Sequence, residues 1–415
     1  MTDPKPGPAP RMRQDLELFP MNRGGKRAVV LRDPLGLFAR PVLVEGQALA
    51  LLGLLDGRRT AEDIQFVFTR NSGGVFVQRE AIQGMIDELD AAMILDSPAY
   101  RRAKNRLIEE YEGLEIREAC LAGQSYPEDP DELTAFLDEI LSEGRLSEPG
   151  PHAPPLALAA PHIDIRVGKK VYGSAYGALG GISPKTVVLL GTGHSLEGGY
   201  YSLTEKDFQT PLGPVRTDRD SVRRLRRAGV SAVAAGDLAH RREHSLELQA
   251  IFLKRLFGED FTAIPILCGS FQGDLDRVSR PREIARAAAF LDELRTIVSE
   301  GGRDVFCVAA VDFFHIGPKF GHDGSAERYL FEAEAHDAAL LGSLLAGDVA
   351  GFWSENRRVR DRFNICGFSS LASLLDILPP VEGRLLGRDV WREEETRSAV
   401  SFAAVAFHEK TENSV

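Results

Sequence analysis

Three histidines share one setting, because each follows closely on a short apolar run. His162 follows residues 156–160, His194 follows residues 187–190, and His315 follows residues 306–310. Ligand sites in α/β proteins gather where buried strands end, and a neutral imidazole is the commonest metal ligand. A single histidine in such a place usually serves packing. Three of them indicate a metal site or an acid–base site.

Two further residues extend this candidate group, and both are expected at helix starts. His244 opens an amphipathic stretch, and Cys366 begins another helical pattern. The positive end of a helix favours a thiolate, which is the metal-binding form of cysteine. Spacing alone does not decide between packing roles and convergence on one ion, because ligands this far apart form no compact metal motif.

The elements that must position these residues alternate between strands and helices. Apolar runs predict buried strands, and residues 282–299 predict a helix between the last two of them. Continuous apolar strands separated by helices are typical of an α/β layer fold with a largely buried sheet. The predicted strands cover residues 157–160, 186–190, 262–267 and 304–311.

A smaller unit precedes this region. Residues 1–15 contain four prolines and no apolar periodicity, so we expect a disordered tail. Residues 16–99 combine two short β-rich runs with three helical patterns, which predicts a small winged-helix-like domain. A charged helix over residues 100–114 should link it to the large domain, residues 115–410.

The helix of the small domain that would enter a DNA groove is acidic. Glu80, Asp87, Glu88 and Asp90 accompany only Arg79, so this helix would repel phosphate. Packing or dimerisation is the alternative role. The order of elements also resembles the peptide-recognition domains related to the PqqD family, and this resemblance implies a peptide as partner.

The amino-acid composition limits the class of protein to which the chain can belong. With 415 residues, 43% apolar and 27% charged, it suits two globular domains. A net charge of −11 argues against nucleic-acid and anionic-membrane partners, which require a basic face. The chain has no membrane-length apolar run and no secretion signal, and its four scattered cysteines suit reduced thiols, so we expect a cytoplasmic protein.

Seven short segments between residues 119 and 367 carry a resemblance to a known family. The first runs from Ala119 to Leu133 and resembles the opening "AGxxYPxDPxEL" of that family. The others follow in the family's order: PH (161–162), GTGH (191–194), TPLG (210–213) with Asp218, EHSLE (243–247), DFFH (312–315) and ICG (365–367). This pattern resembles the Memo family, whose bacterial members are also called AmmeMemoRadiSam system protein B.

The resemblance implies a fold similar to the class III extradiol ring-cleaving dioxygenases, with one mononuclear metal ion. His162, His194 and Cys366 match the family's metal-binding residues. His315 matches a pocket histidine that corresponds to the acid–base histidine of the dioxygenases, and His244 matches another histidine near the pocket. Iron(II) or copper(I) is the implied ion, and zinc also suits imidazole and thiolate ligands.

The residues around these ligands depart from the family pattern. The family's "PHAGYxYSG" is replaced by PHIDIRVG at 161–168, which removes aromatic residues and adds Asp164 and Arg166. Ser195 takes the place of the second histidine in "GPSHH". Retained ligands with altered surroundings predict a divergent subfamily with its own substrate.

Three functions are compatible with these residues. The first is a metal-dependent oxidoreductase acting on a small molecule or a modified peptide, in which His315 is the general acid or base and His244 orients substrate or oxygen. The second is a redox-protective protein that handles copper or iron. The third is a peptide-binding or signalling adaptor without catalysis, and the family context implies AMMECR-family and radical SAM family proteins as partners.

Overall fold

The structure, a computed structural model, describes residues 7–24, 26–38, 40–71, 76–144 and 154–410. The chain divides into two compact units between Gly113 and Leu114. Within the described ranges, no helix has both the length and the apolar character needed to cross a membrane.

In its described residues, the first unit combines a three-stranded antiparallel sheet, in the order β1-β2-β3, with four helices. Its elements are β1 (Glu17–Arg23), β2 (Lys26–Arg32), β3 (Val42–Glu45), α1 (Gly46–Leu52), α2 (Ala61–Asn71), α3 (Arg79–Ala91) and α4 (Pro98–Glu112). The two β-rich runs predicted in this unit do not include β1, which contains Pro20. Proline is tolerated here because β1 lies at the edge of the sheet. The winged-helix-like and PqqD-like assignments stay predictions.

Of the disordered tail expected for residues 1–15, residues 1–6 lie outside the described residues, whereas Ala9 and Arg13 are buried. The buried guanidinium of Arg13 lies 2.6 Å from a carboxylate oxygen of Asp33 and donates to the carbonyl of Met93 at 2.8 Å. It also lies 4.3 Å from the ring centroid of Tyr100 in α4. A buried cation with these partners orders a proline-rich segment, and it ties α4 to the first unit, whereas the sequence suggested a separate linker.

The second unit contains a nine-stranded mixed sheet. Its elements are β4 (Ile116–Arg117), α5 (Pro130–Gly144), β5 (Ala157–Ala160), α6 (Ile165–Gly177), β6 (Thr186–Thr192), β7 (Tyr201–Leu203), β8 (Asp207–Phe208), β9 (Arg216–Thr217), α7 (Arg219–Ala228), α8 (His244–Phe257), β10 (Thr262–Cys268), α9 (Ala288–Gly301), β11 (Val305–Ala310), β12 (His315–Ile316), α10 (Leu330–Ala346), α11 (Val349–Val359), α12 (Phe368–Ile377), β13 (Val381–Glu393) and β14 (Ser398–Glu409).

Apolar clusters cover both faces of this sheet. The main path runs β12-β14-β5-β11-β6-β10-β7, in which β5, β11, β6 and β10 are parallel. Val188 and Leu190 of β6 belong to one cluster, while Val187 and Leu189 belong to the other. This alternation follows from the pleat, which points successive side chains to opposite faces. The predicted α/β layer fold is confirmed.

The register of the parallel strands brings their ends level. Ala160 at the end of β5 pairs with Ala310 at the end of β11, and Ala310 pairs with Gly191 near the end of β6. The chain therefore leaves all three strands at one edge of the sheet. His162 and His194 follow two residues after Ala160 and Thr192, so the register carries them to that edge.

Candidate metal centre

Three imidazoles face one another at this edge. The ring centroid of His162 lies 5.2 Å from those of His194 and His244, and the latter two lie 4.7 Å apart. One nitrogen from each ring lies within 4.8 Å of the other two, an arrangement that could hold a metal ion. His244 was expected to orient substrate or oxygen, and the structure places it among the histidines that could contact the ion.

The thiol of Cys366 belongs to the same place. Its Sγ atom lies 3.4 Å from Nε2 of His162 and 3.5 Å from the carbonyl oxygen of Asp312. The hydroxyl of Thr192 donates to the carbonyl of Cys366 at 3.2 Å. Gly367 permits this close approach, because a Cβ atom there would lie 2.4 Å from Cβ of Val311. Cys366 therefore lies beside His162, while the ligand set of His162, His194 and Cys366 stays a prediction.

The local position of Cys366 differs from the expectation of a helix start. Helix α12 begins at Phe368, two residues later, with Gly367 as its N-cap. Burial by itself would raise the pKa of the Cys366 thiol, but the positive charges of His162 and His315, with hydrogen bonds to His162 and His194, hold that pKa well below its ordinary value. Imidazoles, more than the helix, therefore favour the thiolate, which is the metal-binding form.

Acceptors at Nδ1 orient the three imidazoles. Nδ1 of His162 lies 3.0 Å from the carbonyl oxygen of Ala310. Nδ1 of His194 and Nδ1 of His244 lie 2.9 and 3.2 Å from the same carboxylate oxygen, Oε1 of Glu243. With Nδ1 engaged outside the group, Nε2 is the nitrogen that each ring can present to an ion.

Glu243 is a buried carboxylate that sequence reasoning missed. It caps α8 by accepting from the backbone N–H of Ser245 at 3.1 Å and also accepts from the N–H of His194 at 2.9 Å. Burial would raise its pKa, but the positive charge of His194 and the hydrogen bonds from it lower the pKa below its usual range. The sequence feature that could have identified Glu243 is its position directly before a histidine at the start of a helix.

Asp312 is a second carboxylate that the sequence analysis did not assign. It is buried at the end of β11, accepts from the N–H of His162 at 3.1 Å, and places Oδ2 3.8 Å from Nε2 of His162. Burial raises the pKa of Asp312, and the positive charge of His162 partly offsets this rise. The sequence feature that could have identified Asp312 is its position just after a strand, two residues beyond Ala310. An oxygen atom therefore also lies beside Nε2 of His162.

His315 stands outside the group of three imidazoles. Its Nδ1 lies 3.0 Å from the carbonyl of Phe313, and its ring meets that of Phe320 edge-on at 4.9 Å. The positive charge of His315 nevertheless contributes to the lowered pKa of Cys366, so His315 acts on the same site. This placement separates His315 from the residues that could hold an ion.

The donor set fits a single transition metal. Imidazole nitrogen and thiolate sulfur accept iron, copper and zinc, so the donors are compatible with each of these ions. The residues also show the support found around such sites, because each imidazole has an oxygen acceptor at the nitrogen that faces away from the group.

Comparison with known proteins places the chain in a family. A family model described as Memo-like protein matches residues 117–406. A MEMO1 family protein of Aquifex aeolicus is 33% identical over 403 residues, covering 96% of this chain and 100% of that protein. One from Thermus thermophilus is 30% identical over 351 residues, covering 83% and 98%. One from Methanopyrus kandleri is 29% identical over 310 residues, covering 70% and 98%. The chain therefore belongs to the Memo family.

Proposed function

We propose that this protein is a mononuclear, non-haem metal-dependent oxidoreductase acting on a small molecule or a modified peptide. One observation carries the proposal: a group of imidazoles with a neighbouring thiol is accompanied by a further histidine, His315, that lies outside it. A purely structural metal site needs only ligands. A histidine held beside the ligands is what proton transfer requires.

His162, His194 and Cys366 would hold the ion. When bound, iron(II) would supply a Lewis acid and a redox centre for dioxygen and substrate. Because oxygen acceptors lie at Nδ1 of these histidines, their Nε2 atoms would be the ones presented to the ion. His162 is buried, so its side of the site is shielded from bulk water.

His315 is the proposed acid–base residue. The carbonyl of Phe313 accepts at Nδ1, so proton exchange with substrate would occur at Nε2. Edge-on packing against Phe320 restricts the rotation of the ring. The position of His315 outside the group of three imidazoles lets it gain and lose a proton without leaving an ion short of a ligand.

The substrate is proposed to differ from that of other Memo relatives. Of the two charged residues that distinguish this chain after His162, Asp164 has a structural use: its side chain caps α6 by accepting from the N–H of Arg166 at 2.9 Å. The Arg166 side chain is exposed. It is therefore the better candidate for a contact with an anionic group of a substrate.

A second candidate function is the handling of copper or iron. The observation in its favour is the soft sulfur of Cys366 beside Nε2 of His162, since thiolate and imidazole donors suit copper(I). In this function His315 would have no chemical role. The third candidate, a peptide-binding adaptor, has no comparable observation in the second unit.

Nitric oxide can separate the first two functions. The protein would be purified without oxygen, loaded with iron(II), and exposed to nitric oxide, which binds iron only where a coordination position is open. The oxidoreductase proposal predicts an iron–nitrosyl electron paramagnetic resonance signal, lost in His162→Ala. Exclusive retention of copper(I) in competition with iron(II), with no nitrosyl signal, would favour metal handling.

A further inference from the structure

We infer that Glu243 is a positioning residue that holds His194 and His244 in one tautomer and thereby makes His244 a third imidazole ligand of the metal ion. The inference rests on the metal site of the proposed function. It changes the assignment of His244 from orienting the substrate to binding the ion.

The Glu243 carboxylate contacts the imidazoles of both His194 and His244. Oε1 lies 2.9 Å from Nδ1 of His194, 3.2 Å from Nδ1 of His244 and 3.1 Å from the backbone nitrogen of Ser245. Oε2 accepts from the backbone N–H of His194 at 2.9 Å. The side chain is only 3% exposed, so water cannot readily replace these partners. One carboxylate therefore serves two imidazoles.

The chemistry of these partners determines the tautomer. An ionised carboxylate only accepts hydrogen bonds, so both Nδ1 atoms must carry hydrogen. A neutral imidazole protonated at Nδ1 has its lone pair on Nε2. The carbonyl of Ala310, also only an acceptor, imposes the same tautomer on His162. With Nδ1 protonated in all three rings, Nε2 is the atom whose lone pair an incoming ion would take, after displacing any proton held there.

Convergence separates His244 from His315. Both rings lie near an acceptor at Nδ1, so the tautomer alone does not identify a ligand. His244, however, belongs to the group in which one nitrogen from each ring lies within 4.8 Å of the others, together with His162 and His194. Histidines that bind metals characteristically combine these two features, an acceptor at the far nitrogen and convergence at the near one.

The backbone around Glu243 is itself firmly held. The guanidinium of the buried Arg117 donates to the Glu243 carbonyl at 2.8 Å. The Ser245 hydroxyl donates to the Thr192 carbonyl at 2.9 Å, which docks the start of α8 on the end of β6. Gly191 permits this approach, because a Cβ atom there would lie 2.6 Å from the Ser245 hydroxyl. The carboxylate therefore has a rigid support.

A double-mutant cycle on the full chain tests the inference, with zinc(II) as the probe and a competing chelator to measure affinity. Glu243→Gln removes the negative charge and leaves one amide oxygen as the acceptor for two imidazoles and the His194 N–H, so we expect zinc affinity to fall by roughly 10–100-fold, the usual effect of disrupting such a partner. In the His244→Ala background the same change should cost less, because only His194 is still affected. Nitrogen NMR of the imidazoles in the metal-free protein should show Nδ1–H at both rings, and a changed tautomer in Glu243→Gln.

Glu247→Gln is the matched control. Glu247 is another buried glutamate of α8, and its carboxylate accepts from the Tyr126 hydroxyl at 2.6 Å and from the Leu121 N–H at 2.8 Å, not from the three histidines. Glu247 also pairs with Arg117, which supports the Glu243 backbone, so we expect this variant to melt at a lower temperature than the wild type and to lose much less zinc affinity than Glu243→Gln does. Glu243→Asp, which keeps a carboxylate, should restore part of the affinity lost in Glu243→Gln.

Several results would overturn the inference. Unchanged zinc affinity in Glu243→Gln, an equal loss in both backgrounds, or Nε2–H at His244 in the metal-free wild type would each do so while leaving the proposed metal site in place. A wild-type protein that binds no zinc, iron or copper would overturn the proposed function as well. Equal loss of affinity in Glu243→Gln and Glu247→Gln would assign Glu243 a purely structural role.

Discussion

The Sγ atom of Cys366 lies 3.4 Å from Nε2 of His162, although 204 positions separate the two residues in the chain. His162 arrives from the end of β5, and Cys366 arrives from the loop before α12. His162 is buried and the Cys366 thiol is partly buried, and the positive charges of the neighbouring imidazoles lower the pKa of this thiol. This contact is the centre of the proposed metal site.

Replacement of the sulfur should remove the ion. In Cys366→Ser the hydroxyl ionises far less readily than the thiol whose pKa the imidazoles lower, so we expect metal affinity to fall by about tenfold or more. Metal content after oxygen-free purification, together with zinc competition, provides the measurement. Undiminished affinity in Cys366→Ser would place the sulfur outside the ligand set.

Replacement of His315 should have a different effect. His315→Ala is expected to keep its ion, because this ring lies outside the group of converging imidazoles. Oxygen-dependent turnover of the iron(II) protein should fall by roughly 10²–10⁴, the usual contribution of a positioned acid or base. Metal analysis of this variant is informative even before a substrate is known, since loss of the ion would make His315 a ligand.

Uptake of the ion should depend on pH below about 9. Burial by itself would lower the pKa of His162, but the thiolate of Cys366 and the charge of Asp312 raise that pKa to about 9. Below this pH an incoming ion must displace the proton, so affinity should rise with pH by up to roughly tenfold per unit for each proton released. Zinc titrations over this range measure the slope. Cys366→Ser removes the negative charge beside His162, so the pH above which zinc affinity stops rising should be lower in this variant. Zinc affinity that does not change with pH would contradict a protonated His162.

Some parts of this arrangement follow from local sequence. Strand ends before His162 and His194, and the helix start at His244, are visible as apolar periods and their breaks, and the structure has them where these patterns indicate. The prediction that His162, His194 and Cys366 bind one metal ion came from the resemblance to the Memo family. Periodicity alone could not bring them together, because the register between β5, β11 and β6 does so.

Other parts depend on contacts that no local pattern contains. Glu243 looks like an ordinary helix cap in the sequence, and only the docking of α8 on β6 brings its carboxylate to His194. The thiolate of Cys366 was attributed to a helix start, yet the charges that lower its pKa come from distant imidazoles. Arg13 similarly orders a proline-rich segment through Asp33, at 2.6 Å.

Asn364 should be sensitive to the conformation of its backbone. Its φ is +50°, and its side-chain amide donates to the carbonyls of His315 and Phe320, both at 3.2 Å. Glycine adopts this left-handed conformation freely, whereas alanine has a cost of about 1 kcal/mol or more. We therefore expect Asn364→Ala to lower the free energy of unfolding by about 1 kcal/mol more than Asn364→Gly does. Urea denaturation of both variants measures this difference, and a glycine variant less stable than the alanine variant would contradict it.

X-ray absorption of the zinc-loaded protein tests the central claim most directly, because it reports the atoms that surround the ion. One ion per chain is predicted, with imidazole nitrogens at ~2.0–2.1 Å and one sulfur at ~2.3 Å. The sulfur contribution should disappear in Cys366→Ser, and the number of imidazoles should fall in His162→Ala. A wild-type protein that binds no ion, or an ion without sulfur and histidine neighbours, would contradict the site formed by His162, His194 and Cys366.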